Sequence, residues 1–431
     1  MTKRWYIALA VLVVTTSLAG GLVVVVRAQS VQGVGAPAIS APPTSAPTPV
    51  VSSSTPSASP KPTAAAPGPP AGTVHVDGRF RARYAGRYVG WDELLARGRP
   101  LPAVTAGCRA DWKTTTRDKA LDWRKATFLC LNQLRGNGFH PQGVGGTSTT
   151  RDYAIGGRPA ADRNIIAISS YSRKEEKGLR FANKPGTTDA TRLTVIDLDR
   201  GVYNQVELVR LVGDRFSALD SHGSGVVWVG QYLYSSSLRH LWMYNADDLM
   251  EIDGRFVLPA VAHWRARGTG GFSSISVDPT ASPRTLTSVN FTQTQTSWSQ
   301  TFQLDRAGRL QTGATAADRP LGLVGRYGPS PAGVRSTRAR VVVGSNFQGI
   351  GSFGPYGLVN SSSLKLDGRR YGDNLVVTRR GRPLGRFLMP KENLESVYVD
   401  HRRRRYVTVT EYGRQFLFWF PIDHVIDRAE R

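Results

Sequence analysis

The sequence predicts an all-β domain assembled from repeated strand units and carried on an exported stem. Three observations predict this. From about residue 139 onward, short apolar runs rich in β-branched and aromatic residues alternate with Gly, Asp, Asn and Pro turns. Those runs recur in comparable order through successive units. Ahead of them stand an uncharged hydrophobic segment and a Pro-, Ser- and Thr-rich stretch with too little bulky apolar surface to offset the entropy of ordering.

At the N-terminus, Lys3 and Arg4 precede residues 5–26, which carry no charge, and Arg27 follows. About 22 residues at 1.5 Å rise span about 33 Å, enough to cross a hydrocarbon core of roughly 30 Å. The basic residues would stay on the cytoplasmic side and send the C-terminus out. Residues 1–28 thus read as an uncleaved anchor or, because Val26-Arg27-Ala28 resembles a small-residue cleavage site, as a signal peptide. No Cys follows to carry a lipid. Residues 29–72 read as a disordered linker, reaching about 35 Å as a coil or about 135 Å as extended polyproline II. The expected location is the outer side of the cytoplasmic membrane, or the medium.

Residues 73–137 read as a helical lead-in packed on the repeat domain. A short helix is expected from Trp91, ended by Gly98, and a longer one from Arg117 to Leu134, with Leu121, Trp123, Phe128, Leu129 and Leu131 on its apolar face. Cys108 and Cys130 are the only cysteines, and a disulfide between them suits an oxidising compartment. Cys130 is expected near the end of the longer helix, and Cys108 in the preceding loop.

Units then start at 142–147, 223–229, 272–278, 348–353 and 394–400, each opening on a Gly- or Ser-rich or short apolar strand. Second strands fall at 166–170, 232–237, 286–290, 358–362 and 406–410, and third strands at 193–197, 241–245, 301–305, 374–378 and 415–420. A fourth is visible at 206–211. Three or four antiparallel strands per unit, repeated radially, describe a β-propeller over 138–426, with five blades. Ser221-His222-Gly223 through Tyr234, Leu241 to Asn245, His140 to Gly143, and Leu394 to Asp400 with Tyr406 to Glu411 resemble blades of secreted or membrane-anchored propeller-like proteins of actinobacteria, mostly of unknown function. The resemblance implies the fold and the exported location and transfers no catalytic residue.

No phosphate loop, metal-binding His-Glu-x-x-His helix, nucleophile elbow or Cys-x-x-Cys pair is present, so no cofactor and no metal are expected. The pairs Asp247–Asp248 and Glu175–Glu176 read as solvated turns. In a propeller the first strand of each blade lines the central channel. His140 and Gln142, His222 and Ser224, Ser273 and Ser274, Gln348, and Glu395 occupy unit starts and are the candidates for a polar funnel. Such a funnel either takes a small ligand or satisfies its own hydrogen bonds. Glu395 with one of the histidines forms a conceivable acid–base pair.

Charge points to partners. The chain carries 56 Lys and Arg against 32 Asp and Glu, and residues 73–431 keep a net +20. Arg402, Arg403, Arg404 and Arg405 follow His401 between two expected strands and read as an anion-binding hairpin tip. An anionic cell-envelope polymer, an anionic membrane surface or an envelope protein are the expected partners. Nucleic acid is not, for want of interleaved exposed aromatics or a recognisable module. The expected activity is non-catalytic binding or scaffolding, with a carbohydrate-active or lyase-type enzyme as the alternative.

Overall fold

A computed structural model describes residues 87–431 except 116–117, 136–138, 173–189, 213–214, 220, 267–270, 292–295, 312–321, 328–333, 336–337, 344–345, 363–364, 367–368, 371 and 391–392. The expected membrane segment, the linker and Glu175–Glu176 lie outside these residues. Among those described, no helix is long and apolar enough to cross a membrane.

The chain is overwhelmingly β. Helices α1 (Trp91–Ala96) and α2 (Ala106–Thr114) come first, followed by strand β1 (Thr127–Cys130) and helix α3 (Asn132–Arg135). The repeats then begin. Strands β2 (Phe139–Gly146), β3 (Ile165–Ser172), β4 (Ala190–Asp197) and β5 (Val202–Val212) form one antiparallel sheet. Strands β6 (Gly225–Val229), β7 (Tyr232–Ser237), β8 (His240–Asn245) and β9 (Arg255–Ala266) form the next. The long β9 joins the two, because its first half runs parallel to β5. Two further antiparallel sheets are β10 (Ser274–Asp278), β11 (Thr285–Val289), β12 (Thr296–Gln303) and β13 (Arg338–Val343), then β14 (Phe347–Phe353), β15 (Tyr356–Ser361), β16 (Asn374–Arg379) and β17 (Arg382–Leu388). The last contains β18 (Leu394–Asp400), β19 (Arg405–Thr410) and β20 (Phe416–Pro421), followed by helix α4 (Ile422–Glu430). Every strand expected from the sequence lies within or overlaps one of these.

The first strands pack against one another around a common axis: β2 touches β6, β6 touches β10, β10 touches β14, β14 touches β18, and β18 returns to β2. This is a β-propeller. Inner strands in such a ring meet backbone to backbone, which is why the sequence places Gly there. A Cβ on Gly145 would stand 2.4 Å from the Val226 carbonyl oxygen, and one on Gly349 would stand 2.7 Å from the Val397 nitrogen. Middle strands are covered on both faces by neighbouring sheets, so all eight residues of β3 and of β4 are buried.

The ring is closed from the wrong end of the chain. Strand β1, which precedes the first repeat, pairs antiparallel with β20 as the outer strand of the last sheet. Here the structure corrects the sequence. Residues 117–134 are not one helix: a 3-10 turn at Trp123–Lys125, strand β1 and the four-residue α3 replace it. A short apolar run such as 127–131 carries no periodicity that separates helix from strand, and pairing with β20 decides the matter. The disulfide joins Cys108 to Cys130 as expected, with the roles reversed: Cys108 lies on α2, and Cys130 ends a strand. Around it Trp112 stacks on Phe128 at 4.5 Å and meets Phe416 and Phe418 edge-on or tilted, so the closure is also apolar. Burying each large side chain there contributes roughly 1.5–3 kcal/mol. Helix α1 packs elsewhere, with Trp91 against Trp228 at 4.5 Å.

Candidate functional site

The strand starts converge at one end of the axis, and the backbone is irregular there. In β2 the register slips between Pro141 and Gly143, leaving Gln142 as an extra residue opposite β3. In β14 it slips between Phe347 and Gly349, leaving Gln348. In β18 it slips between Leu394 and Val397, at Glu395 and Ser396. A β-bulge re-aims a side chain at the cost of ladder pairing. Three bulges at equivalent positions therefore turn Gln142, Gln348 and Glu395 at the same level of the ring.

Glu395 is fully buried. Its Oε1 accepts from Gln348 Nε2 at 3.3 Å. Burial pushes its carboxyl well above the usual carboxylate range, and the nearby Glu411 and Asp373 carboxyls raise it further. Its Oε2 meets no hydrogen-bond partner in proper geometry among the described residues, although Glu411 lies close enough to act on its proton. Gln142, 3% exposed, likewise has an amide nitrogen without a partner among the described residues.

Glu411 stands at the centre of the second half of the site. The fully buried Tyr171 donates its hydroxyl hydrogen to Glu411 Oε1 at 2.6 Å and lies 3.3 Å from the Tyr412 hydroxyl. Burial, then the bond to Glu411, pushes the Tyr171 phenol upward, so it stays a donor. His222 stacks on the Tyr171 ring at 3.9 Å, and His140 sits 5.3 Å from Tyr171 and 5.4 Å from Tyr412. His140, His222, Gln348 and Tyr412 are half-buried and form the rim, while Gln142, Tyr171, Glu395 and Glu411 are buried beneath it.

The structure thus brings together His140, His222, Gln348 and Glu395, with Gln142 at the equivalent bulge of β2. It places the serines differently. Ser224 is buried and its backbone nitrogen bonds Ser236. Ser273 spends its hydroxyl on the Val289 and Phe347 carbonyls, and Ser274 meets Ser396 at 3.3 Å. These serines stitch strands together. Sequence reading missed Tyr171, Glu411, Tyr412 and Asp373. The first three end second strands or follow them, and in a hairpin the end of the second strand lies beside the start of the first, so the repeat alignment itself held the signal.

The arginine turn is corrected as well. Residues 401–404 do form the β18–β19 turn, but the four guanidiniums are not a free cluster. Arg402 pairs with Asp162 at 2.7 Å, and Arg403 donates to the Asp162 carbonyl at 3.0 Å and lies 3.6 Å from Asp400. Arg404 forks onto Asp423, its Nε at 2.8 Å. Arg405 reaches Asn164 and lies over the Trp419 ring. Asp162 and Asp423 from two other segments, with Asp400 from the hairpin itself, relieve the repulsion that suggested an external anion. The Asp247–Asp248 pair splits too: Asp247 is exposed, whereas Asp248 is buried and its carboxyl is pushed up to about 7, first by burial and then by the Asp247 charge. Among the described residues no group of three or more His, Cys, Asp or Glu is arranged to hold a metal ion.

No protein-family model matches this chain, and no curated protein does. Among solved structures, the chain is similar to the Myceliophteria thermophila Cps50 (Swd1) β-propeller domain, with a TM-score of 0.28 and 8% identity over 66% of this chain and 97% of that one. It is also similar to Chaetomium thermophilum Raptor, with a TM-score of 0.31 and 11% identity over 74% of this chain and 31% of that one. Neither likeness is close enough to carry a function across.

Proposed function

We propose that this chain is a five-bladed β-propeller over residues 138–426, held outside the cell by residues 1–28 and the 29–72 linker, and that it works as a non-catalytic binding module. Its recognition face is the end of the axis where the inner strands start. One observation carries this reading: bulges in three inner strands aim Gln142, Gln348 and Glu395 at one level of the axis, beneath an accessible rim of histidines and Tyr412. A fold that needed only to close its ring has no use for three equivalent interruptions of its ladders. The Cys108–Cys130 disulfide is in keeping with an oxidising compartment.

The test is photo-crosslinking in the native host. A crosslinking amino acid at Tyr412 should capture a partner, and the same group at Phe353, the last residue of β14 at the far end of the axis, should not. Equal capture at both positions, or none at Tyr412, refutes the assignment. A hydrolase or lyase reading is favoured by one observation, the fully buried Glu395 beside Glu411, its carboxyl raised above the usual range by burial. It predicts turnover of a glycan that Glu395→Gln abolishes.

A further inference from the structure

We propose that a cleft beside the axis binds a small organic phosphomonoester, gripped by the guanidiniums of Arg151 and Arg306. The cleft lies at the end where the inner strands finish and shares no lining residue with the axial space. It is independent of the recognition face proposed above, and each reading stands or falls without the other.

Three stretches of chain make the cleft. Arg151 and Asp152 follow β2, Pro283 and Arg284 belong to the β10–β11 connection, and Asp305 and Arg306 follow β12. Together they leave a cavity of about 450 Å³, within the range of roughly 300–1,000 Å³ that holds small molecules. Arg284 is the fixed part of the wall. Its side chain is 15% exposed, its Nη2 donates to the Arg306 carbonyl, and it pairs with Asp152 at 3.3 Å. The other acid in the lining, Asp305, is engaged as well: its two oxygens accept from the Arg309 backbone nitrogen and Nε, each at 2.8 Å. Both carboxylates are thereby accounted for. Arg151 and Arg306 are exposed, and neither side chain makes a hydrogen bond or ion pair among the described residues. Two guanidiniums lining one cavity repel, and an anion between them removes that cost, whereas a cation adds to it and a neutral molecule leaves it. Each guanidinium presents its donors as a fork that fits an oxyanion. Matching two charges calls for a dianion: a phosphomonoester carries about −1.5 to −2 at neutral pH, a carboxylate only one. The volume calls for an organic remainder, because a bare ion leaves most of the cavity to water. Pro283 in the wall gives that remainder an apolar contact.

The full chain is titrated calorimetrically at about 50 mM salt, where screening is weak, with glucose 6-phosphate, inorganic phosphate, glucuronate and glucose. Glucose 6-phosphate is expected to bind, inorganic phosphate and glucuronate about tenfold more weakly or worse, and glucose not at all. Arg151→Gln and Arg306→Gln should each weaken glucose 6-phosphate about tenfold. Neither should move the melting temperature, since neither side chain has a partner to lose. Asp152→Asn removes the carboxylate that competes for Arg284 and should tighten binding several-fold. Arg402→Ser with Arg404→Ser removes as much charge as the double variant Arg151→Gln with Arg306→Gln, and should leave binding unchanged. Glucuronate binding as tightly as glucose 6-phosphate refutes the ligand class, and inorganic phosphate doing so refutes the part given to the rest of the cavity. Glucose binding as well as its phosphate shows that the charges are not used and sinks the proposal. So does the absence of binding by every probe, or binding that survives the loss of both Arg151 and Arg306. A loss of equal size in the Arg402 and Arg404 variant means attraction by net charge alone and overturns the site.

Discussion

The two ends of the propeller axis are built from the same inner strands and are chemically opposite. At the end where those strands finish, hydroxyls and charges are paired with one another. Tyr398 donates to Ser148 Oγ at 2.7 Å and accepts from the Ser148 backbone nitrogen at 3.1 Å. Thr147 donates to the Arg163 carbonyl at 2.8 Å, and Arg163, 4% exposed, bridges the fully buried Asp197 at 2.9 Å and the half-exposed Asp92 at 3.2 Å. The space between the strands is apolar and narrow, lined by Val144, Val227, Val277 and Val397. Where the strands start, the ladders are broken by bulges, a carboxyl is buried beside other carboxyls, and the Gln142 amide nitrogen has no partner among the described residues. One end pairs a buried carboxylate with an arginine and so holds the ring. The other breaks its ladders and buries a carboxyl among carboxyls, which leaves it the less settled of the two.

That contrast is sharpest where breaking a bond should cost most. Arg163→Ala leaves the buried Asp197 with only the half-exposed Arg200, 3.8 Å away, as counter-ion and should destabilise the domain by about 3 kcal/mol, read as the shift in a urea unfolding midpoint. A loss under about 1 kcal/mol would mean that water already reaches Asp197, and that the closed end is not closed. Tyr398→Phe strands Ser148 and should cost about 1–3 kcal/mol by the same measurement.

At the open end the expected change has the other sign. The Glu395 carboxyl is raised in the folded chain, so the folded state holds a proton that the unfolded state has released. Stability therefore falls as pH rises above the ordinary glutamate value of 4.5 towards the raised one. Asp248, far from the axis, adds a second decline of the same sign between about 4 and about 7. Glu395→Gln should raise the melting temperature at neutral pH and remove the first part of the slope; Asp248→Asn should remove the second. Unfolding curves from pH 4 to 8 on both single variants and the double variant separate them. A Glu395→Gln protein that is less stable at pH 7 would show that the carboxylate is needed charged. The smallest effect is expected at the arginine turn. Arg402→Ser with Arg404→Ser breaks two solvent-exposed pairs and should change stability by about 0.2–1 kcal/mol each. A larger loss would make that turn part of the closure rather than its surface.

Much of this fold is legible along the chain. Alternation and turn residues mark the strands, the glycines of the inner strands follow from a ring too tight for a Cβ, and two cysteines leave one possible intramolecular bridge. These are properties of neighbours in sequence or of a repeat compared with itself. What the sequence could not decide depends on residues brought together from far apart. The run at 127–130 became a strand because β20 offered it an edge. Arg403 meets Asp162 across 241 positions, turning an apparent anion trap into an internally balanced turn. Tyr171 meets Glu411 across 240, which converts an ordinary strand end into the heart of the candidate site. Local pattern determines which segments extend; only closure of the ring decides which charges find partners and which donors are left without them.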